Sequence, residues 1–130
     1  MVNHPNHDLI KRAYDAFGRG DIPTVIGVLD KRIRWHVPGQ SPLSSVYIGH
    51  EQVLGFFQKS MELSQGSLRI YVHEIVASNT TVFVLCTVSA TRSGQRAEFL
   101  EVHLWRIADG RAVEFREFQG DEYTENKFWA

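Results

Sequence analysis

Glu117 is the side chain in this sequence whose setting best suits acid–base chemistry. It alternates with Phe115 and Val113, so the three side chains share one face of a predicted strand. Two apolar neighbours indicate a partly dry face, and desolvation raises the pKa of a carboxyl towards the neutral range in which general acids and bases work. A salt bridge or a place at the rim of the sheet is the commoner role of such a residue, and the sequence leaves both interpretations open.

A second polar pair, Glu101 and His103, lies two positions apart on another predicted strand. If the hairpin pairs Ile107 with Ala112, this pair lies on the convex face, where we expect polar contacts at an interface rather than catalysis. A register shifted by one residue would bring the pair onto the face of Glu117, because such a shift moves every side chain of a strand to the other side of the sheet. The sequence does not decide between the two registers.

Aromatic residues supply candidate walls for a small-molecule site. Trp35 alternates with His36, so the two side chains point to opposite faces, and the indole of Trp35 can wall an apolar ligand and donate one hydrogen bond. Tyr14, on the first predicted helix, can point its hydroxyl into the same space. Both residues are also compatible with a plain role in the core.

Metal and cofactor motifs are missing from the sequence. The histidines and the single cysteine, Cys86, are not spaced as metal ligands, and no glycine-rich motif predicts a phosphate-binding loop. We therefore expect no metal and no cofactor.

The composition narrows the class of protein. A chain of 130 residues fits one domain, spanning 1–130, since domains have about 100–200 residues. Its 14 basic and 15 acidic side chains argue against a nucleic-acid-binding or polybasic membrane-binding protein. One cysteine cannot form an internal disulfide, no apolar run approaches the roughly 20 residues of a membrane span, and the N-terminal residues lack a secretion-signal pattern. The expected compartment is the cytoplasm.

Apolar periodicity predicts helices followed by long strands, which is typical of an α+β fold. Segment 40–48 is expected to be a loop, and 121–130 an aromatic tail that packs on the domain or on a partner. Strands this long must coil, and a coiled sheet crossed by helices encloses a cavity. The predicted helices run from Asn6 or Asp8 to Gly18, from Asp21 to Leu29 and from Gly49 to Gly66, and the predicted strands are 33–37, 68–77, 81–92, 97–107 and 112–118.

Four segments of the chain resemble the SnoaL-like branch of the nuclear-transport-factor-2-like (NTF2-like) superfamily, which includes ketosteroid isomerases, limonene-epoxide hydrolases and polyketide cyclases. The resemblance implies a cone-shaped, curved antiparallel sheet with three helices from the N-terminal half over its concave face. It also implies a cavity between helices and sheet and a homodimer through the convex face. Because this superfamily holds both enzymes and binding proteins, function has to be argued from the site. The four segments are Gly20-Asp21-Ile22, Trp35-His36-Val37-Pro38-Gly39, Tyr47-Ile48-Gly49 and Trp105-Arg106-Ile107-Ala108-Asp109-Gly110.

Comparison with two of these groups, the ketosteroid isomerases and the limonene-epoxide hydrolases, argues against their known reactions, whereas polyketide cyclases also have an acid–base aspartate near the position of Glu117. Val37 stands where ketosteroid isomerases have an aspartate base, Ala13 where they have a tyrosine, and Leu100 or its neighbour where they have a protonated aspartate. Limonene-epoxide hydrolases match at one point, because Glu117 retains a carboxylate where they have an aspartate. Their other charged residues lie on a middle strand that carries no charge here.

Three hypotheses follow from the residues and the resemblance together. The first is a protein that binds a small organic ligand in an apolar pocket, without chemistry. The second is a cofactor-independent isomerase, lyase or hydrolase with Glu117 as the acid–base residue, and the third is a dimeric interaction module whose cavity is incidental. A homodimer and no nucleic-acid partner are expected in each case. The predicted ligand-lining residues are Tyr14, Trp35, Val37, Tyr47, Phe57, Leu100, Val102 and Phe115.

Overall fold

The computed structural model describes residues 2–130, which form four helices and six strands. In chain order these are α1 (Pro5–Gly18), α2 (Ile22–Val28), β1 (Leu29–Val37), β2 (Ser45–Ile48), α3 (Gly49–Leu63), β3 (Arg69–Ala77), β4 (Thr81–Arg92), β5 (Gln95–Ala108), β6 (Arg111–Gln119) and α4 (Glu122–Trp129). Within this part of the chain, no helix combines the length and the apolar character that a membrane span requires.

The strands form one curved, unclosed sheet in the order β2-β1-β6-β5-β4-β3. Neighbouring strands are antiparallel, except that β1 and β6 run parallel. The predicted α+β fold, with helices over the concave face of a curved sheet, is confirmed, and the parallel pair is a local departure from the antiparallel pattern.

The core lies between the concave face and the helices. On β1, Ile33, Trp35 and Val37 are buried, whereas the residues between them are more exposed, as strand alternation requires. Ile10 of α1 and Val53 of α3 are fully buried within the same hydrophobic cluster. The sheet therefore places every second side chain of its strands towards the helices.

Two elements, β2 and α4, differ from the expected loop and tail. β2 has four residues and pairs with the end of β1, where Tyr47 lies opposite Trp35; so short a strand shows no usable alternation. α4 is capped by Asp121, whose carboxylate accepts a hydrogen bond from the Thr124 backbone N–H at 3.1 Å, and the helix buries Trp129 at its end. The predicted packing of the tail is thus achieved by a capped helix.

The β5–β6 hairpin carries a β-bulge that decides which residues face inwards. Next to the turn, Ile107 has the partner of the unshifted register, but the pairing shifts by one residue between Arg106 and Ile107. Beyond the bulge, His103 lies opposite Glu117. The expectation that Glu101 and His103 lie on the convex face is therefore wrong, because the bulge leaves Val113 of β6 without a partner and so places Glu117, rather than Arg116, opposite His103 on the concave face.

Candidate functional site

A cavity of about 90 Å³ lies between the concave face of the sheet and the helices α1, α3 and α4. Its wall is mostly apolar, and the ring of Trp35 stacks on Phe115 at 3.8 Å and meets Trp105 edge-on at 5.5 Å between centroids. Such pairs stabilise a fold by about 0.5–1.5 kcal/mol beyond their buried area, so these rings are held in place. The aromatic residues along the wall are Tyr14, Phe17, Trp35, Phe56, Phe57, Trp105, Phe115 and Trp129.

A chain of hydrogen bonds crosses one side of the cavity. The Trp105 indole N–H donates to the Tyr14 hydroxyl oxygen at 3.0 Å, and that hydroxyl lies 2.5 Å from His103 Nδ1. His103 Nε2 lies 2.8 Å from a carboxylate oxygen of Glu101. The indole can only donate, so the Tyr14 hydroxyl accepts from it and donates its own hydrogen to Nδ1 of His103. A neutral imidazole that accepts at Nδ1 carries its hydrogen on Nε2, and this N–H donates to Glu101.

Burial keeps His103 neutral. Desolvation lowers the pKa of His103 to about 3, because the charged imidazolium is disfavoured in a buried site. Desolvation likewise raises the pKa of Tyr14 well above its ordinary value, and the negative charges around it add to the effect. At neutral pH, Tyr14 and His103 therefore position hydrogen bonds without carrying charge.

Three glutamates from three elements meet at the same end of the cavity. Glu101 of β5, Glu117 of β6 and Glu125 of α4 each place a carboxylate oxygen within 4.8 Å of the others. Glu101 and Glu125 are almost completely buried and Glu117 is partly buried. The Gln119 amide donates to Glu117 Oε2 at 2.7 Å. We call Glu101, Glu117 and Glu125 the glutamate cluster.

The carboxyl groups of the glutamate cluster keep their protons to a higher pH than ordinary glutamates do. Desolvation, followed by the charge of Glu125, raises the pKa of Glu117 to about 8. Desolvation and the neighbouring Glu101 raise the pKa of Glu125 to about 11, and desolvation and the charge of Glu117 raise that of Glu101 well above its usual range. A carboxyl with a pKa near neutrality can both give and take a proton, which is the property of a general acid or base.

Several buried polar atoms around the cavity have no hydrogen-bond partner within residues 2–130. They are the indole nitrogen of Trp35, Oε1 of Gln119 and Oε1 of Glu125. A buried polar group without a partner costs about 1–3 kcal/mol, so an unpaired group of this kind calls for an explanation. Because all three residues line the cavity, a bound molecule is a direct explanation.

Two sets of side chains also have the spacing of metal ligands. One is the glutamate cluster, and the other is Cys86 with Glu101 and His103. In the second set both ring nitrogens of His103 have partners, and burial raises the pKa of the Cys86 thiol, whereas a metal needs the thiolate. The second set therefore does not suit a metal in this arrangement. The sequence shows neither set because the residues come from four separate elements.

The structure brings together most of the side chains predicted from the sequence. Tyr14, Trp35, Val37, Phe57, Phe115 and Glu117 all lie along the cavity. Their role towards a ligand remains a prediction.

Three of the predicted ligand-lining residues lie elsewhere. The Tyr47 hydroxyl donates to the Leu43 carbonyl at 2.7 Å, and its ring packs against Phe56 rather than lining the cavity. Leu100 and Val102 are on the opposite face of the sheet from the cavity, and Leu100 is 56% exposed. Those two were misplaced for the same reason as the Glu101–His103 pair, namely the β-bulge.

Glu125 is the functional candidate that the sequence analysis missed. It lies four residues after the capping residue Asp121 and four before Trp129, so the two buried residues share one side of α4. That i, i+4 spacing after a capping aspartate was the available signal. A glutamate on the buried side of a short amphipathic helix is the kind of exception that marks a site.

Contacts at its C-terminal end and near its middle hold α4 over the cavity. The Arg92 guanidinium donates to the backbone carbonyls of Phe128 and Ala130, both at 2.9 Å. Near its middle, Asn126 approaches Gly39 so closely that a Cβ at position 39 would lie 2.1 Å from Asn126 Oδ1. Gly39 also has φ of +95°, which disfavours other residues. These contacts bring Glu125 to the other two glutamates.

Comparisons with known proteins agree with this architecture. The sequence profile described as "SnoaL-like domain" matches residues 10–115. An uncharacterized protein of Mycobacterium tuberculosis is 26% identical over 132 residues, covering 100% of both chains. The structure of Bal32a from a soil-derived mobile gene cassette has a TM-score of 0.93 at 25% identity over 97% of each chain. An NTF2-like protein of unknown function from Burkholderia pseudomallei has a TM-score of 0.87 at 27% identity, covering 98% of this chain and 99% of that one. The chain therefore belongs to the SnoaL-like domain family, within the NTF2-like fold.

Proposed function

We propose that the protein binds a small, largely apolar organic molecule in the cavity between the sheet and the helices. The observation that carries this proposal is an aromatic-walled cavity whose polar end holds buried atoms without partners. Ligand sites in proteins combine these two features, apolar walls for affinity and a few polar groups for orientation. The family supports a ligand-binding role in general and does not name the ligand.

The size of the cavity limits the ligand. Its volume of about 90 Å³ is smaller than the roughly 150 Å³ in which a buried apolar cavity binds benzene. A ligand with one ring therefore needs the side chains of the wall, or α4, to move outwards. Larger ligands need a larger displacement of the same helix.

Trp35→Phe tests the binding site with small probes. The substitution keeps an aromatic ring on Phe115 and removes the unpaired indole N–H. We expect it to weaken binding of benzyl alcohol, which offers an oxygen acceptor, by about three- to tenfold, because a net hydrogen bond contributes about 0.5–1.5 kcal/mol. Toluene has no acceptor, and the space that the smaller ring opens affects both probes alike, so the affinity of benzyl alcohol relative to toluene is the quantity that should fall. Isothermal titration calorimetry measures both, and equal effects on the two probes, or no binding of either, would contradict the proposal.

Proton transfer is the second candidate function, and the position of Glu117 supports it. The carboxyl lines the cavity, its pKa is raised to about 8, and the partners of the glutamate cluster include a neutral histidine. A base of this kind removes a proton from carbon next to a carbonyl, which is the step that cofactor-independent isomerases and lyases share. Glu117 would be the acid–base residue.

Glu117→Gln tests this chemistry. We expect the wild-type protein to speed the exchange of the α-hydrogens of cyclohexanone in D₂O, with a rate that rises with pH towards a plateau above about pH 8 as the carboxylate form accumulates. The variant should lower the enhancement by about 100-fold or more, since general base catalysis contributes about 10²–10⁴-fold. NMR follows the exchange. Glu114→Gln, on the same strand but outside the cavity, is the control, and equal rates for E117Q and wild type would refute the proposal.

A homodimer through the convex face is also proposed. Large apolar side chains on that face are about half exposed, among them Tyr71, Phe83, Leu100 and Phe118. Contiguous exposed apolar surface of this kind typically marks an interface. The Glu101–His103 pair takes no part in this surface, because both residues face the cavity.

A further inference from the structure

The polar end of the cavity contains acidic groups with no positive side chain to balance them. Glu101, Glu117 and Glu125 lie within 4.8 Å of one another. Among the cavity-lining residues of segment 2–130 there is no lysine and no arginine, and His103 is neutral. Within residues 2–130, therefore, no cationic side chain of the cavity wall balances the glutamate cluster.

The unpaired atoms at this end are mostly acceptors. Glu125 is 2% exposed and its Oε1 has no hydrogen-bond partner. The Gln119 amide nitrogen donates to Glu117, which leaves its Oε1 as a second buried acceptor without a partner. What both atoms lack is a donor. An ammonium group offers three N–H donors and a positive charge, so it matches both the hydrogen-bond need and the charge of the cluster.

The aromatic walls favour an organic cation over a metal ion. Trp35, Trp105 and Phe115 form mutually contacting rings, and Tyr14 contacts Trp105 edge-on. The faces of such rings attract alkylammonium groups and bury the hydrocarbon attached to them. A magnesium or calcium ion draws no ligand from these walls, since it prefers oxygen atoms and keeps bound waters. The unpaired N–H of Trp35 is a separate feature, which an oxygen atom elsewhere on the same ligand would satisfy.

We propose that the ligand of this cavity is a small hydrophobic amine, whose ammonium group lies among Glu101, Glu117 and Glu125 and whose hydrocarbon body packs between the aromatic walls. The inference rests on the proposed binding function and specifies the charge of the ligand. It is independent of the proposed proton transfer.

Binding of such an amine is linked to the release of a proton. The amine arrives as ammonium, a carboxylic acid of the cluster loses its proton to solvent, and the resulting carboxylate pairs with the ammonium. Affinity should therefore increase as pH rises from about 6 to 8, where the free cluster holds the proton less firmly. The titratable groups that face the cluster or lie close enough to act on it are Tyr14 of α1, Cys86 of β4, Glu101 and His103 of β5, Glu117 of β6, Glu125 of α4 and Asp121 before α4.

Three probes of similar shape and different charge test the proposal on the full chain. They are benzylamine, which is a cation at these pH values, neutral benzyl alcohol and anionic benzoate. At about pH 8 we expect benzylamine to bind at least about tenfold more tightly than benzyl alcohol, and benzoate to bind most weakly. Calorimetry in two buffers of different ionisation enthalpy should show close to one proton released per benzylamine and none for benzyl alcohol. The preference should shrink at about pH 6.

Glu125→Gln supplies the variant and Glu122→Gln its matched control. Glutamine preserves the shape of the side chain and cannot ionise when the ammonium group binds beside it, so E125Q is expected to fold and to lose most of the preference for benzylamine. Glu122 lies on the same helix with an exposed side chain, and E122Q should leave the preference unchanged.

Each other outcome overturns the inference in a recognisable way. Equal or tighter binding of benzyl alcohol would remove the amine and leave the proposed binding function standing. Failure of both probes to bind at millimolar concentration would remove both proposals. Binding of Mg²⁺ or Zn²⁺ that excludes benzylamine and is abolished in E125Q would show that the cluster takes an inorganic cation instead.

Discussion

At the scale of single residues, Tyr14 has the most connections within the cavity. Its hydroxyl oxygen accepts from Trp105 and lies against His103, and its ring stacks on that imidazole with an interplanar angle of 15°. One hydroxyl thus satisfies an indole donor and fixes the tautomer of a buried histidine. Because each of these groups is buried, none has water as an alternative partner.

Tyr14→Phe is expected to destabilise the fold through the partners that it leaves behind. The ring would remain, but the Trp105 N–H and His103 Nδ1 would lose their partner, at about 1–3 kcal/mol for a buried unsatisfied group. Urea denaturation measures the free energy of unfolding. Tyr123→Phe, at a side chain that is 77% exposed, should change it by less than about 0.5 kcal/mol. If the two variants were equally stable, the Tyr14 hydroxyl would have no structural role.

At the scale of elements, α4 supplies the third member of the glutamate cluster, and the sheet supplies the other two. A helix of eight residues is too short to be stable alone, so its packing on the sheet and the contacts from Arg92 must hold it. Docking it buries Glu125 against Glu101 and Glu117. Burial of a carboxyl that has no cationic partner makes the stability of the fold depend on pH.

The free energy of unfolding is expected to fall on both sides of a maximum at about pH 4.5. The folded protein retains protons on Glu117 up to about pH 8 and on Glu125 up to about pH 11, whereas in the unfolded chain both ionise near pH 4.5. More protons are then bound to the folded state, so stability falls as pH rises above about 4.5. His103 has the opposite effect, because its pKa is about 3 when folded and 6.5 when unfolded. Between these values its single proton is outweighed by those of the two glutamates until the glutamates of the unfolded chain also protonate, so stability falls with decreasing pH only below about pH 4.5.

Glu125→Gln should flatten the alkaline side of this profile. An amide loses no proton, so the slope above about pH 5 should decrease by as much as roughly 1.4 kcal/mol per pH unit, the contribution of one proton. The variant should therefore be more stable than wild type at about pH 8. Urea denaturation between about pH 5 and 9 measures the profile, with Glu122→Gln as the control. Parallel profiles for E125Q and wild type would contradict the burial of an unpaired acid at this position.

The same elements show how much of the fold and of the site the sequence predicts. Long apolar patterns predicted the order of α1, α2, α3 and the four long strands, because helices and strands of that length repeat their period several times. β2 and α4 are too short for this, and only the cap at Asp121 indicated the helix. The site required more than element positions, since the residues of β6 that share a face with His103 depend on one extra residue, Val113, at the bulge. Trp35 and Glu117 lie along the cavity as expected, because β1 and β6 pair regularly beyond that bulge.

At the scale of the whole molecule, the sheet separates two surfaces of different character. The concave face holds the aromatic cavity and the glutamate cluster, and the convex face exposes large apolar side chains. Leu100 and Phe118, at 56% and 48% exposure, lie on adjacent strands of the convex face. A second copy that covered them would remove apolar surface from water without touching the cavity.

Leu100→Glu should convert the proposed dimer into a monomer. A charged side chain in the middle of an apolar interface loses its hydration when the two copies associate. The free energy of this desolvation exceeds the free energy gained from the apolar contact. Light scattering at micromolar concentration should give twice the mass of the chain for wild type and the mass of one chain for the variant. Tyr123→Glu, on the exposed side of α4, is the control and should remain dimeric. A monomeric wild type would remove the dimer from the proposal.

The β-bulge between Arg106 and Ile107 has a consequence for how proteins of this family diverge. The pairing leaves Val113 of β6 without a partner, so deleting that residue would give a regular ladder in which Phe115 and Glu117 keep their partners and their face. A deletion further along β6, beyond the bulge, would instead turn every following side chain of that strand to the other side of the sheet. A relative can therefore lose one residue at this place in the hairpin and keep the same side chains around its cavity, which makes it the point of β6 where a change in length disturbs the interior least.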